Sequence, residues 1–304
     1  MISFIMMAYN VEHYIADAIL ELQKENRINW ELIIVDDFST DNTFQKAKYF
    51  ADKDNRIKLV NNITKGKVSG TNYGYSLTKG NIIKCIDSDD ILLVEFFNDY
   101  RNMINHDAHC HNAYITDNKL NIQSVYNINP LLISKSYEFV LSNLISLPKW
   151  SWSFKREIAE KIFPMPETLP FEDVWIGLAI KKYSKDIYTM NKPLYLYRQH
   201  KNQTFGGIVN YDSEKVIFRS KRLLKLIEVI KNENRLIEGF DIKIFDSARL
   251  INVLMSMNKV NIFTILKSKL KLSIKIKIIL IKKMPNMAKF VTLLKWKLDA
   301  FHNS

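Results

Sequence analysis

Glycine and proline are scarce in this 304-residue chain, at 8 and 7 residues, and cysteine is scarcer still, at 2. So little glycine and proline excludes a collagen-like repeat, a low-complexity linker or a long disordered tract. Two cysteines, Cys85 and Cys110, exclude a disulfide framework and suit a reducing compartment. Cys85 lies within an apolar run and reads as a small buried hydrophobe. No stretch holds 18 uninterrupted apolar residues, so no spanning helix is expected, and residues 1–10 are apolar without the basic start of a secretory leader. Acidic residues are outnumbered, 32 against 44 Lys plus Arg, for a net charge of +12. That excess calls for an anionic partner: nucleic acid, a membrane surface or a phosphorylated substrate. What is present is a globular composition, 47% hydrophobic and 12% aromatic, long enough for one large core or two modest ones.

Residues 2–7 are apolar on both faces, as a central parallel strand must be. Asn10 suits a helix cap, and Val11, Tyr14, Ile15, Ala18 and Leu22 follow at helical spacing. A second strand, 30–35, ends in Asp36-Asp37, and Ser39-Thr40-Asp41 caps a helix running to about residue 52. A third strand spans 57–60. After a turn at 65–67, a helix over 68–78 stops at Gly80. The fourth strand, Asn81-Ile82-Ile83-Lys84-Cys85-Ile86, runs into Asp87-Ser88-Asp89-Asp90. This alternation predicts an α/β fold, a doubly wound, mostly parallel sheet with right-handed crossovers. Such sheets bind ligands beyond the carboxyl ends of their strands. Here those ends bring Tyr9-Asn10, Asp36-Asp37 and the carboxylate cluster to one edge. Three ionised carboxylates in four positions repel one another. The cluster therefore reads either as a solvated turn or as the seat of a hard divalent cation that bridges carboxylates to substrate phosphates.

Taken in order, Ala8-Tyr9-Asn10-Val11-Glu12, Val35-Asp36-Asp37-Phe38-Ser39, Gly70-Thr71-Asn72-Tyr73-Gly74 and Asp87-Ser88-Asp89-Asp90 resemble the motifs of family 2 glycosyltransferases of the GT-A fold. The resemblance is strong over residues 1–100 and looser over 100–205. It implies a Rossmann-like nucleotide-sugar-binding half, a UDP-sugar donor and a glycan or lipid-linked acceptor, in bacterial surface polysaccharide or lipooligosaccharide synthesis. It further implies that Tyr9 stacks on the base, that Asp36 and Asp37 bond base or ribose, and that Asn72 and Ser88 belong to the donor site. Asp89 would ligate Mn2+ or Mg2+, with Asp87 beside it. Two positions depart from the pattern. Met7 replaces the usual Pro or Thr, and Thr71 stands where the family usually carries an arginine; Lys65 or Lys67 is the expected replacement for that diphosphate contact.

Further along, His106, His109 and His111 surround Cys110 and read as a solvated loop or, against the usual spacings, a zinc site. Residues 112–125 read as a hairpin and 137–147 as a helix. Trp150 and Trp152 suit either a sugar-binding wall or a core. In Glu172-Asp173 the resemblance implies a catalytic base at Asp173 with Glu172 as its acidic neighbour, for an inverting transfer; acidic residues also favour helix N-termini through the dipole. In Tyr197-Arg198-Gln199-His200 it implies that His200 ligates the metal and that Arg198 or Lys201 meets the diphosphate, with Gly206-Gly207 as a hinge.

The expected domains are 1–208, split at about residue 100 into donor and acceptor parts, and a basic helical region, 209–304. Residues 262–300 hold ten lysines and one acidic residue, Asp299, interleaved with large apolar side chains. That pattern suits an anionic membrane surface, a solvated helix face or a dimer contact. No nucleic-acid motif accompanies it, so no nucleic acid is expected. The expected location is cytoplasmic, peripheral at the inner face of the membrane. Two rivals remain open. A GT-A-like sugar nucleotidyltransferase would carry a Gly-rich loop where this chain has Met7-Ala8-Tyr9-Asn10, and a non-catalytic basic module would need none of these carboxylates.

Overall fold

A computed structural model of the chain describes residues 1–128, 133–200, 213–288 and 290–291. The chain forms two compact units, Met1–Val140 with Ile145–Gln203, and Leu141–Leu144 with Thr204–Ser304. The boundary expected at 208–209 lies outside the described residues, as do Lys201 and Gly206-Gly207.

In the first unit, β1 (Ile2–Ala8), β2 (Trp30–Asp36), β3 (Ile57–Asn61) and β4 (Ile82–Asp87) pair in parallel in the order β3-β2-β1-β4. Every residue of β1 is buried, which explains why its sequence shows no polar alternation. The register sets Ala8 beside Asp36 and Met7 beside Asp87, so the strand ends predicted to converge lie at one level. The crossovers run through α1 (Ile15–Gln23), α2 (Thr43–Ala51) and α3 (Lys67–Ser76). Gly74 lets α3 lie close on the sheet: a Cβ there would sit 2.7 Å from Ile5 Cγ2 and 3.2 Å from Val35 Cγ2.

Beyond β4 the sheet continues through β8 (Trp152–Lys155), β6 (Ala108–Thr116), β9 (Ile187–Arg198) and β5 (Ile91–Leu92), and β7 (Ile122–Tyr126) pairs with β6. This half is mixed, with β8 antiparallel to β4 and to β6, and β9 parallel to β6. Helix α4 (Tyr100–Asn105), the first turn of α5 (Tyr137–Asn143) and helices α6 (Arg156–Ile162) and α7 (Glu172–Tyr183) complete the unit's framework. Its core joins Phe4, Met6, Ile19 and Ile34 to Phe96 and Trp150.

Several local expectations change. Asn10 does not cap α1, which starts five residues later; its backbone is left-handed (φ 50°) and its Oδ1 accepts from Thr40 N at 2.8 Å, tying the loop after β1 to the loop after β2. The hairpin forms, but β6 starts at Ala108, so His109, Cys110 and His111 are buried strand residues and not a solvated loop. Among the described residues no group of three or more His, Cys, Asp or Glu side chains is arranged to hold a metal ion. Trp150 and Trp152 are both buried, and Trp150 stacks on Tyr195 at 5.0 Å between ring centres. The helix expected over 137–147 ends at Asn143.

The second unit contains α8 (Ser213–Glu233), α9 (Asp246–Ser256), α10 (Ile262–Lys267) and α11 (Leu272–Lys283). Leu254, Met255, Val260, Ile265, Ile278 and Ile281 form its separate small core. Among the described residues no helix is long and apolar enough to cross a membrane.

Candidate active site

The loops after β1 and β2 are laced together at the sheet edge. Val11 N donates to Thr43 Oγ1, Glu12 N to Asp41 Oδ2, and Asn42 Nδ2 to Glu12 Oε2. Tyr9 projects from this lattice, 47% exposed, with Lys65 Nζ 5.0 Å from its ring centre. An exposed ring held by a fixed loop is a surface on which a planar base can stack. Asp36 is buried. Its Oδ2 accepts from Ser39 N, while its Oδ1 has no hydrogen-bond partner among the described residues. Asp37 Oδ1 accepts from Asn62 Nδ2 at 2.7 Å and from Gly66 N at 2.9 Å. Gly66 presents that N–H from φ 141°, a conformation open to glycine and costly for other residues. Asp37 thus orders the turn that starts α3.

The carboxylates after β4 have three different environments. Asp87 lies between two ammonium groups, with Lys67 Nζ and Lys149 Nζ each 3.3 Å from its Oδ1, and its own N–H donates to Tyr195 Oη. Burial alone would raise its pKa, but Lys149 and Lys67 outweigh that and hold Asp87 below the usual carboxylate range. Asp89, part-exposed, meets His200: Oδ2 and Nε2 are 3.0 Å apart. The His200 ring packs on Tyr14 at 4.9 Å, and its Nδ1 is buried without a partner among the described residues. Asp90 is buried and accepts from Arg198 N at 2.8 Å. Burial, then the charges of Asp89 and Asp87, push its pKa well above the usual carboxylate range, and its bond to Arg198 N ties it to the end of β9. Ser88 is buried between them. Arg198 is buried too; its guanidinium bonds Asp17 at 3.0 Å and lies over the Tyr14 ring.

Glu172 and Asp173 open α7. Glu172 is buried, with Oε1 2.5 Å from the Thr71 hydroxyl and Oε2 3.1 Å from Lys149 Nζ. Asp173 is half-buried, and its Oδ1 accepts from Lys149 N at 2.7 Å. Burial raises its pKa above that of an ordinary aspartate. Asn72 sits apart: both ends of its amide bond the Met165 backbone, at 2.8 and 2.7 Å, so it fastens α3 to the loop before α7.

Of the expected residues, Asp87, Glu172, Asp173 and Lys67 form one connected cluster through Lys149, and Asp89 with His200 forms a second pair two residues along. Lys149 was not expected. Its one signal is an isolated charge in the apolar run Leu147-Pro148-Lys149-Trp150. Burial opposes its charge, but Asp87 and Glu172 outweigh that and hold its pKa well above that of a free lysine.

A parallel sheet with carboxylates at its strand ends, continued by a mixed half that carries an acidic pair on a helix N-terminus, is the GT-A glycosyltransferase fold. The crystal structure of S. aureus TarS in complex with UDP-GlcNAc superposes on 97% of this chain and 91% of its own, with a TM-score of 0.57 at 16% identity, which shows the fold alone. The chain matches glycosyl transferase family 2 over residues 3–163, just over half its length, and it belongs to that family. It is 41% identical over 92 residues to the Escherichia coli UDP-Glc:alpha-D-GlcNAc-diphosphoundecaprenol beta-1,3-glucosyltransferase WfgD, covering 30% of this chain and 36% of that protein. It is 36% identical over 93 residues to the glycosyltransferase GlyG of Streptococcus pneumoniae, covering 30% and 31%. The chain therefore spans about a third of the length of these relatives.

Proposed function

We propose that the protein is a metal-dependent, inverting glycosyltransferase that moves a sugar from a UDP-sugar to a glycan or lipid-linked acceptor in cell-surface polysaccharide synthesis. The observation that carries this reading is the Asp87–Lys149–Glu172/Asp173 cluster. It joins the strand end suited to a diphosphate to a carboxylate suited to accept a proton.

In this reading Tyr9 stacks on the uracil, and Asp36 and Asp37 take hydrogen bonds from the base and ribose; the orphaned Asp36 Oδ1 has the buried, unmet acceptor capacity for such a role. Asp89 and His200 would hold Mn2+ or Mg2+. A carboxylate and an imidazole with converging donor atoms fit a hard cation that takes its remaining oxygens from the donor phosphates and water. Bound there, the metal supplies charge neutralisation for the leaving diphosphate. Lys67 offers a second cation on the same side. Asp173, kept basic by burial, takes the proton of the acceptor hydroxyl as that oxygen attacks the anomeric carbon. Attack opposite the leaving group inverts the configuration.

The UDP-linked relatives support the choice of donor: WfgD is named for UDP-Glc and the TarS crystal holds UDP-GlcNAc. The mannosyltransferase PcManGT, of TM-score 0.52 and 14% identity, was crystallised with GDP-Man and Mn2+, so GDP belongs in the test. Thermal denaturation with UDP, GDP or CDP, each with and without Mn2+, should raise the melting temperature for UDP with Mn2+ and not for Asp89→Asn, because a ligand that binds only the native state stabilises it. No shift with any nucleotide at millimolar concentration would remove the donor site. The non-catalytic basic module would then be the better reading.

A further inference from the structure

Lys149 is a buried cation that no motif names, and it touches Asp87, Glu172 and Asp173. Its Nζ lies 3.3 Å from Asp87 Oδ1 and 3.1 Å from Glu172 Oε2. Its backbone N–H donates to Asp173 Oδ1 at 2.7 Å. The other Asp173 oxygen accepts no hydrogen bond among the described residues and is left to take a proton. The surroundings hold the residue rigidly. Lys149 begins the short 3-10 turn Lys149–Ser151, closed by Ser151 N on Pro148 O. The Trp150 and Trp152 carbonyls just after it both accept from Lys84 Nζ. Thr71, where the family pattern places an arginine, meets the remaining Glu172 oxygen. The cation that meets Glu172 thus comes from the segment before β8, while among the described residues Lys67 of α3 pairs with Asp87 alone.

We propose that Lys149 is a positioning residue for glycosyl transfer. Its ammonium clamps Glu172 to the end of β4, and this clamp aims the Lys149 N–H so that Asp173 presents one oxygen to the acceptor. The inference rests on the transferase reading and deepens it. A clamp of this kind predicts a change in kcat more than in donor binding, since a base displaced by about 1 Å costs on the order of 100-fold in rate while the nucleotide contacts stay in place. A residue that only held the fold would lower stability without that division.

The test measures UDP release from UDP-glucose and from UDP-N-acetylglucosamine with Mn2+, and UDP–Mn2+ affinity by calorimetry, for wild type and Lys149→Met. The expected result is a fall in kcat of about 30-fold or more with the UDP–Mn2+ Kd changed by less than about threefold. A kcat within about threefold of wild type overturns the proposal, and so does a parallel loss of affinity, which would make Lys149 a donor ligand. Lys149→Met leaves Glu172 without its cation and Asp87 with Lys67 alone, so a second pair protects against misfolding: Glu172→Gln alone and combined with Lys149→Met. With the Glu172 charge gone the clamp is already broken, so Lys149→Met should lower kcat by less than about threefold further in that background; a further loss as large as the one in the wild-type background overturns the clamp, because Lys149 would then act independently of Glu172. Wild type that binds UDP–Mn2+ but releases none from either sugar would count against the transferase reading and not against Lys149 in particular.

Discussion

A carboxylate works as a base near neutral pH only if it is ionised yet still basic, and the surroundings of Asp173 serve both needs. Partial burial raises its pKa, while the Lys149 N–H and the nearby ammonium groups limit the rise. Asp173→Asn keeps the shape and removes the basicity, so kcat should fall by about 100- to 10,000-fold with the donor KM little changed. An undiminished rate would move the base elsewhere. For the wild type, activity should fall as acid protonates Asp173, with this limb of the kcat profile above the ordinary aspartate range. Lys84 poses the opposite problem, a lysine fully buried in a β-strand. Its Nζ bonds the Trp150 and Trp152 carbonyls and His111 Nε2, and burial lowers its pKa to about 7. His111 Nδ1 faces the Asn112 carbonyl and donates to it, which leaves Nε2 to accept from Lys84. The unfolded chain therefore binds more protons at this lysine between about pH 7 and its ordinary value, and stability rises with pH across that window. From one group the slope is at most about 1.4 kcal/mol per pH unit. Urea denaturation between pH 7 and 8.5 should show the rise in wild type and its loss in Lys84→Met; the same slope in both would assign it to another group.

At the scale of elements, the packing of α3 on β1 and β2 decides how near Thr71 and Lys67 come to Asp87. Gly74 sits at that contact. In an exposed helix Gly→Ala gains about 1 kcal/mol from helix propensity. Here the new methyl would press on Ile5 and Val35, branched side chains on rigid strands that yield little. Overpacking at about 1–3 kcal/mol should win, so Gly74→Ala should lower stability, and its cost should be smaller in an Ile5→Ala background than in wild type. A more stable Gly74→Ala would mean that α3 moves freely on the sheet, and the position of Thr71 against Glu172 would lose its structural basis. The histidines teach a related lesson. His106, His109 and His111 are close in sequence, yet the alternation of β6 and the end of α4 place them in different surroundings. His111 meets Lys84, His109 faces Ser153, and His106 stacks on Tyr188 at 5.1 Å.

At the scale of the whole molecule, the excess positive charge lies in the second unit, beside several exposed apolar side chains. On α11, Leu272 and Ile276 are exposed one turn apart, opposite the buried Ile278 and Ile281, and Lys271 and Lys277 are exposed beside them. Phe263 and Leu266 are exposed on α10, with Lys267 Nζ 4.4 Å from the Phe263 ring centre. Apolar side chains ringed by lysines fit the interface of an anionic bilayer, which supports the proposed membrane contact of residues 262–300. The full chain should sediment with vesicles containing phosphatidylglycerol and not with phosphatidylcholine alone. Leu272→Glu with Ile276→Glu should weaken this by about 30-fold or more, given about 1–3 kcal/mol for each of the two large apolar side chains withdrawn from the interface. Binding to neither vesicle would leave this surface to a second copy of the chain, which light scattering would detect.

The order of strands and helices over the first hundred residues was legible because β1, β2 and β4 are buried on both faces and each parallel strand runs into polar residues, a local pattern written in consecutive positions. The carboxylate motif, the acidic pair at the start of α7 and the basic tail were legible for the same reason. What the sequence could not show were contacts between distant segments. Lys149 became part of the site only when β8 paired with β4 and α7 came to rest beside α3. Asn72 was drawn to the Met165 backbone, 93 residues away. Asp89 and Asp90 are adjacent in sequence, yet one meets His200 and the other is buried and bonds the end of β9, because the turn after β4 sends them to different neighbours. Local pattern determined the elements and the kinds of chemistry at their ends. Tertiary packing alone decided which charge meets which, since the electrostatics of a buried group depend on neighbours that the chain brings in from far away.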